Sequence, residues 1–351
     1  MPSQRRTFES RIDYSLLLPV LLLLSIGVTA IYIAVSHDYP NNVLQIVGQQ
    51  VAWILLGFLI SFIVMFFNTK FLWKMTPFLY VLGLGLMVLP LVFYSDSLVA
   101  STGAKNWVAI HGVTLFQPSE FMKISYILML SRVVVKFLQQ NKNYERTLAL
   151  DFFLIVKLAL YTLPVLFLLA LQSDLGTALV FAAIYCGIVL LSGVSWKIIL
   201  PIFLTVSLLF AVFMLIFISD GGRAFLHGLG MPTYQINRIS AWLHPFEYAQ
   251  TITYQQAQGQ IAIGSGGLLG QGFNVSNLLV PVRESDMIFT VIAEDFGFLG
   301  SSLVIVIYLV LIYRMLQITI KSNNQFYTYI STGLIMMLLF HIFENIGAVT
   351  G

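Results

Sequence analysis

"LLVPVRESDMIFTVIAEDFGFLG", residues 278–300, puts an acidic cluster, Glu284 and Asp286, where one of the most apolar runs of the chain begins. Two further acids, Glu294 and Asp295, lie inside that run. Residues 287–313 exceed the roughly 20 residues that cross a bilayer as a helix, and a charge at the bilayer centre costs about 2.5–3.5 kcal/mol even on the mildest scale. Each carboxylate therefore needs a reason. Asp286, behind Ser285, stands where a helix starts, and a cap that accepts free N–H groups and complements the dipole explains an acid there. Arg283 beside it would hold the carboxylate ionised, as a base working at neutral pH requires. Glu294 and Asp295 fall eight and nine residues deeper, roughly 12 Å, and about 100° apart around the helix, so only one of them lies on a given narrow face. Their expected role is pairing with polar groups of neighbouring helices, such as Lys157, Glu344 or Asn345.

Working outward, eight more runs of spanning length precede or follow it: 14–35, 48–67, 77–94, 119–138, 151–171, 175–192, 197–219 and 327–350. The chain of 351 residues is 58% hydrophobic and only 9% charged, against about 25% charged in soluble domains, and its mean hydropathy is +0.89. The fold class is an all-α integral membrane protein, a polytopic helix bundle of nine predicted spans forming a single domain over residues 1–351. Barrel strands would be shorter and would alternate in polarity. A net charge of +3 is too small to suggest nucleic acid as a partner, which leaves membrane lipids as the surroundings.

Cytoplasmic loops are enriched in Lys and Arg. With the N-terminus (Arg5, Arg6, Arg11) inside, the other inside loops hold Lys70 and Lys74; Lys136, Lys142 and Arg146; Lys197; and Arg314 and Lys321. The outside segments keep Lys105, Arg223, Arg238 and Arg283. Two long loops, about 95–118 and 220–286, then fall outside, and the aromatic-rich second one is expected to form short amphipathic or re-entrant helices. The first apolar segment is too long for a signal-peptide core and is read as a retained helix. Cys186, alone in the chain, excludes an internal disulfide and reads as a small buried apolar residue.

Other polar residues carry the chemistry. Glu120 and Lys123 in "QPSEFMKISY" share a helix face and can neutralise each other, with Pro118 suited to the first turn; an ion pair that anchors packing and a polar floor under a substrate cavity both fit. In "LQSDLGTAL", Asp174 reads as a helix cap with Thr177 three residues on. "AIGSGGLLGQG", 262–272, lacks the Gly-Lys-Ser/Thr ending of a phosphate loop and reads as a tight turn between two surface helices. Gln255, Gln256, Gln258 and Gln260 before it offer donors and acceptors for sugar hydroxyls or an interface. Trp107 suits an interfacial anchor or a platform for a sugar ring. The five histidines are scattered, with no i, i+4 pair, and do not form the pattern of a His-rich metal site.

Taken in order, "GAKNWVAIHGVTLFQPSEFMKI", "QSDLGTALV", "YQQAQGQIAIGSGGLLGQG", "ESDMIFTVIAEDFGFLG" and "HIFENIGAVTG" resemble the SEDS family (shape, elongation, division and sporulation), and within it the RodA branch of streptococcal type. The resemblance implies a peptidoglycan glycosyltransferase in the bacterial cytoplasmic membrane. It would polymerise lipid II, an undecaprenyl-diphosphate-linked disaccharide peptide, at the outer face, beside a class B penicillin-binding protein. It puts the family's catalytic Asp at Asp286, its loop Trp at Trp107, its mid-helix Glu and Lys at Glu120 and Lys123, and its Asp-Leu-Gly Asp at Asp174. Ser173 stands where the family's Gln-Pro-Asp-Leu-Gly has Pro, a change expected to be tolerated. The family's tenth helix, after a Pro-Leu-Pro-Phe…Gly-Gly motif, is absent from a chain ending at Gly351, which is expected to be a C-terminally truncated form.

The implied reaction is attack by the C4 hydroxyl of one sugar on the anomeric carbon of another, with polyprenyl diphosphate leaving. Inversion makes a single displacement with one general base the simplest chemistry, and Asp286 is the expected base. Positive charge for the diphosphate would come from Lys105, Arg238 and Arg283, with a divalent cation, Mg2+ or Mn2+, as an optional addition. Two rivals remain open: a lipid flippase or transporter, which also places charges within the membrane, and a non-catalytic scaffold for the penicillin-binding protein.

Overall fold

The computed structural model describes residues 12–350 apart from 97–98, 100–102, 111–112, 220, 232, 244–245, 248–249, 251–252 and 276–279. The helices among them are α1 (Tyr14–Asp38), α2 (Val43–Val64), α3 (Thr69–Val92), α4 (Pro118–Gln140), α5 (Leu148–Gln172), α6 (Leu175–Leu191), α7 (Trp196–Ile218), α8 (Gly222–Gly228), α9 (Thr233–Leu243), α10 (Tyr254–Gly266), α11 (Ile288–Lys321) and α12 (Gln325–Thr350). A short antiparallel hairpin, β1 (Val108–Ile110) and β2 (Val113–Phe116), sits between α3 and α4. Several starts are set by side chains that take up free helix N–H groups. Asp13 accepts from Ser15 and Leu16, Asn68 from Phe71, Thr147 from Leu150 and Asp174 from Thr177. Pro118 opens α4, where its missing N–H costs nothing.

A helix stands at each of the nine expected spans. Seven are long and apolar enough to cross a membrane: α1, α2, α3, α5, α7, α11 and α12. α6 is apolar but has 17 residues. α4 has 23 residues but carries Glu120, Lys123, Arg132 and Lys136. The chain is thus a multi-pass helical membrane protein.

It packs as two compact units. One comprises Phe67–Leu204 and Met315–His341. Its centre is α4, which packs on α3, α5 and α6. The least apolar of the long helices is also the most enclosed: Met122, Tyr126, Ile127, Leu130 and Val134 are at most 1% exposed. That follows from lipid being a solvent that cannot satisfy polar groups, so they turn toward protein. Tyr126 shares a hydrogen bond with Thr162 (2.8 Å), and Tyr80 donates its hydroxyl to the Tyr161 carbonyl (2.5 Å). Gly83 permits close approach of α3 to α4, since a Cβ there would meet Met122 Sδ at 2.6 Å; small residues at membrane helix contacts have this use.

The other unit comprises Met1–Phe66, Thr205–Arg314 and Ile342–Gly351. Here Ala30, Ile33 and Ala34 of α1 pack on Val291, Ile292 and Val304 of α11, and Ala262 of α10 packs with Met287 and Val349. The expected helices of the 220–286 loop are present. α8 and α9 lay Leu226, Ile236 and Ile239 against Phe213 and Phe217 at the end of α7. α2 buries no residue and α7 only Phe217, as helices apolar all round and facing lipid do.

Two expectations need correction. Cys186 is exposed on α6 rather than buried, an apolar thiol on a lipid-facing surface. The 262–272 stretch is more than a surface turn. Residues 262–266 finish α10, and the rest pairs with a break in α11 at Gly297 (φ 62, ψ −158). Phe298 and Leu299 donate their N–H groups to the Gly267 and Leu268 carbonyls (2.9 and 3.2 Å), and the Glu294 and Asp295 carbonyls accept from Gln271 and Gly272 (2.9 and 3.2 Å). A helix that breaks must have its freed backbone groups satisfied elsewhere, and the glycine loop does this. Only glycine fits: a Cβ on Gly270 would lie 2.0 Å from the Asp295 carbonyl oxygen.

Candidate functional site

The residues singled out from sequence fall into two groups, one in each unit. In the first, Asp286 lies in the turn 281–287 that leads into α11. Its carboxylate is exposed, and among the described residues it makes no hydrogen bond to the α11 amides. The turn closes itself through backbone bonds instead, Ser285 and Met287 donating to the Val282 carbonyl (3.2 and 3.4 Å) and Ile288 to that of Ser285 (3.3 Å). The cap reading of Asp286 therefore has no geometric support. The residue is held by its backbone: Asn345 Nδ2 donates to the Asp286 carbonyl (3.0 Å). Val282 takes φ 58, a conformation that a β-branched residue rarely adopts.

Arg283 corrects a second expectation. It is 1% exposed, and its ion pairs run to Asp38 (Nε–Oδ2, 2.9 Å) and Glu294 (Nη1–Oε2, 3.9 Å). Its guanidinium is thus engaged by carboxylates of this chain. Glu294 thus finds a partner in Arg283, while Lys157 stands over the Phe137 ring (5.8 Å). Asp295 Oδ2 accepts the Asn274 N–H (2.6 Å). From the other side, His37 Nε2, as donor, lies 3.2 Å from the Asn274 carbonyl oxygen. Two loop segments, at 274 and 283, are each held between the end of α1 and the acidic pair of α11. Next to them Glu284 faces Tyr39, and its negative charge, then burial, the Asp38 charge and the phenol's own hydrogen bond to Glu284 push the Tyr39 phenol above its ordinary range. Gln255, from the glutamine-rich run, donates to the Pro281 carbonyl (3.1 Å), so that side chain serves the loop. Arg238 lies on α9, and its side chain is outside the described residues.

In the second group Lys123 is buried and sits between two partners, Glu120 Oε1 (2.9 Å) and His341 Nε2 (2.9 Å). The Glu120 side chain remains 61% exposed. Asp174 does cap its helix, accepting from Thr177 N (3.1 Å) and Thr177 Oγ1 (2.9 Å), and it also accepts from Asn106 Nδ2 (2.9 Å). The Lys105 amide donates to the Gln172 carbonyl (2.8 Å), and its ammonium stands 4.3 Å from the centre of the Tyr94 ring. The loop bearing Lys105, Asn106 and Trp107 is thereby tied to the junction of α5 and α6, with Trp107 left 40% exposed. Sequence reasoning missed Asp38, His341 and Asn106 as partners. Asn106 and His341 lie inside the quoted motifs, but Asp38 is 245 residues from Arg283 and no local pattern marks it.

These features define a class: a multi-pass helical membrane protein with polar side chains at helix ends and a buried arginine ion-paired between two of its segments. Residues 14–351 match the model of a family described as "Cell cycle protein", which covers FtsW, RodA and SpoVE. The chain belongs to this family. It is 29% identical over 355 residues to the peptidoglycan glycosyltransferase MrdB of Escherichia coli (strain K12), covering 99% of this chain and 87% of that one. The stage V sporulation protein E of Bacillus subtilis (strain 168) is 27% identical, with 97% and 87% covered. Among solved structures, the rod shape determining protein RodA of Thermus thermophilus superposes with a TM-score of 0.62 at 25% identity, covering 97% of this chain and 85% of that one. A chain from a peptidoglycan synthase complex that coordinates polymerization and crosslinking superposes with a TM-score of 0.75 at 24% identity, covering 97% and 87%.

Proposed function

We propose that this chain is a peptidoglycan glycosyltransferase of the RodA branch that polymerises lipid II for cell elongation and shape. Its reaction would take place at the outer face of the cytoplasmic membrane, beside a class B penicillin-binding protein that cross-links the product. One observation supports the chemistry above others. Asp286 is an exposed carboxylate, free of helix-cap bonds, on a turn whose backbone is fastened at several points. A general base needs this combination, an acceptor open to substrate on a support that does not drift.

In this reading Asp286 takes the proton from the C4 hydroxyl of the acceptor sugar as that oxygen attacks the anomeric carbon of the donor. The diphosphate leaves with the bonding electrons. Arg238 supplies positive charge to it; Arg283 does not, because it is enclosed. In the other unit Asp174 keeps the Asn106–Trp107 loop in place, and Lys105, Trp107, Glu120 and Lys123 are the side chains there with the chemistry to bind phosphate, a sugar face or polar substrate groups. Among the described residues no three His, Cys, Asp or Glu side chains gather as a metal site. A divalent cation, Mg2+ or Mn2+, would supply further positive charge to the leaving diphosphate.

The test is Asp286→Asn, purified with and without the penicillin-binding protein and given lipid II. Asparagine keeps the shape and removes the base, so glycan polymer should fall about 10²–10⁴-fold at unchanged membrane level and partner binding. Asp174→Asn, which keeps one acceptor for the Thr177 N–H, should lose far less. Polymer within a few-fold of the parent from Asp286→Asn would sink the assignment. Transport of lipid II without polymer would favour a flippase, and partner recruitment without either would favour a scaffold.

A further inference from the structure

The carboxylates buried in α11 have no place in the chemistry above, and their geometry explains why a membrane helix keeps them. Glu294 reaches Arg283 (3.9 Å) and Asp295 reaches the Asn274 N–H (2.6 Å). From the opposite side Asp38 reaches Arg283 (2.9 Å) and His37 the Asn274 carbonyl (3.2 Å). Arg283 is the largest fully buried side chain among the described residues, and it sits three residues before Asp286. The turn between them is short and self-bonded, so a shift of Arg283 is passed to Asp286. The end of α1 and the 294–295 pair of α11 thus act as two jaws on the loop that carries the carboxylate. Apolar packing of α1 on α11, through Ala30, Ile33 and Ala34 against Val291 and Ile292, keeps the jaws at a set separation.

We infer that Asp38, Arg283 and Glu294 are positioning residues for polymerisation, an ion-paired clamp that fixes the placement of Asp286 without touching substrate. The inference rests on the reading of Asp286 as the base. Misplacing a reacting group by about 1 Å can cost on the order of 100-fold in rate, whereas substrate binding is left to other residues. Loosening the clamp should therefore lower kcat and leave KM nearly alone.

Asp38 is the residue to change, because it stands at the end of a helix and its loss is the least disruptive of the three. Asp38→Asn and Asp38→Glu would be measured in the full chain for kcat and KM with lipid II, for melting temperature, and for mobility of a spin label at Ser285→Cys in a Cys186→Ser background. The expected result for Asp38→Asn is a kcat lower by about 10- to 100-fold, KM within about three-fold and a freer label. Asp38→Glu, which keeps the charge, should recover most of the rate. If Asp38→Asn retains kcat within two-fold while Asp286→Asn is inactive, the clamp is wrong and the base assignment stands. A kcat loss with unchanged label mobility, or one that comes with collapsed melting temperature or is not recovered by Asp38→Glu, overturns it too. If Asp286→Asn itself remains active, the base reading fails first, and the label alone decides whether the clamp holds the turn.

Discussion

Lys123 and Arg283 are both enclosed cations beside carboxylates, yet removing them should have different consequences. A buried ion pair broken from one side typically costs about 3–5 kcal/mol, because an uncompensated charge remains in a poor solvent. Arg283→Met leaves Glu294, 1% exposed at its side chain, and Asp38, 11% exposed, without their guanidinium. Lys123→Met leaves Glu120, whose side chain is 61% exposed and able to keep solvent. Arg283→Met should therefore destabilise by about 3–5 kcal/mol and Lys123→Met by no more than about 1 kcal/mol, read as thermal unfolding in detergent. Equal losses would show that exposure of the orphaned carboxylate does not set the cost. The pairing of Glu120 with Lys123 was legible from their spacing. That of Arg283 was not, since the neighbouring Asp286 is the obvious linear candidate and Asp38 becomes a neighbour only after α1 packs on α11.

Helix ends carry their own predictions. Ser173, the C-cap of α5, has φ 59, a left-handed conformation that costs a non-glycine residue roughly 1–2 kcal/mol. Proline, locked near −65° and without an N–H, is incompatible with it, and the Ser173 N–H bonds to the Ala170 carbonyl (3.1 Å). Ser173→Gly should raise stability by about 1 kcal/mol, and Ser173→Pro should lower it by about 3 kcal/mol, both measured as denaturation midpoints. At the break in α11, a Cβ on Gly266 would lie 1.9 Å from the Ala293 carbonyl oxygen, while one on Gly264 would meet nothing within 4 Å. Gly266→Ala should thus lose melting temperature and Gly264→Ala should not; matching behaviour would mean that the loop does not need its close approach. Caps such as Asp174 could be read from the chain because they act within three residues. The break at Gly297 could not, because its supporting bonds come from residues 267–272.

For the molecule as a whole, the alternation of basic loops predicts an N-terminus inside and the 220–286 loop outside. In intact cells lacking Cys186, with the wall barrier controlled for, a cysteine at Ser265, which is exposed at the end of α10, should react with a membrane-impermeant thiol reagent. One at Asn141, at the end of α4, should not. The reverse pattern would invert the topology. The α2 and α7 helices, which bury no residue and only Phe217 respectively, have lipid as their natural neighbour.

By itself the sequence determined the membrane class, the nine helices at its long apolar runs, the Asp174 cap and the family, together with Asp286 and the Glu120–Lys123 pair as residues of interest. These follow from hydrophobic length, from charge count and from contacts within one turn of helix, all properties of neighbouring residues. Only the tertiary structure decided what the acids at 294 and 295 do, what Arg283 holds, and that Asp286 is an open acceptor rather than a cap. Each of those depends on segments far apart in the chain being brought to within about 3–4 Å. In a membrane interior that cannot hydrate a charge, the packing of helices chooses the partner.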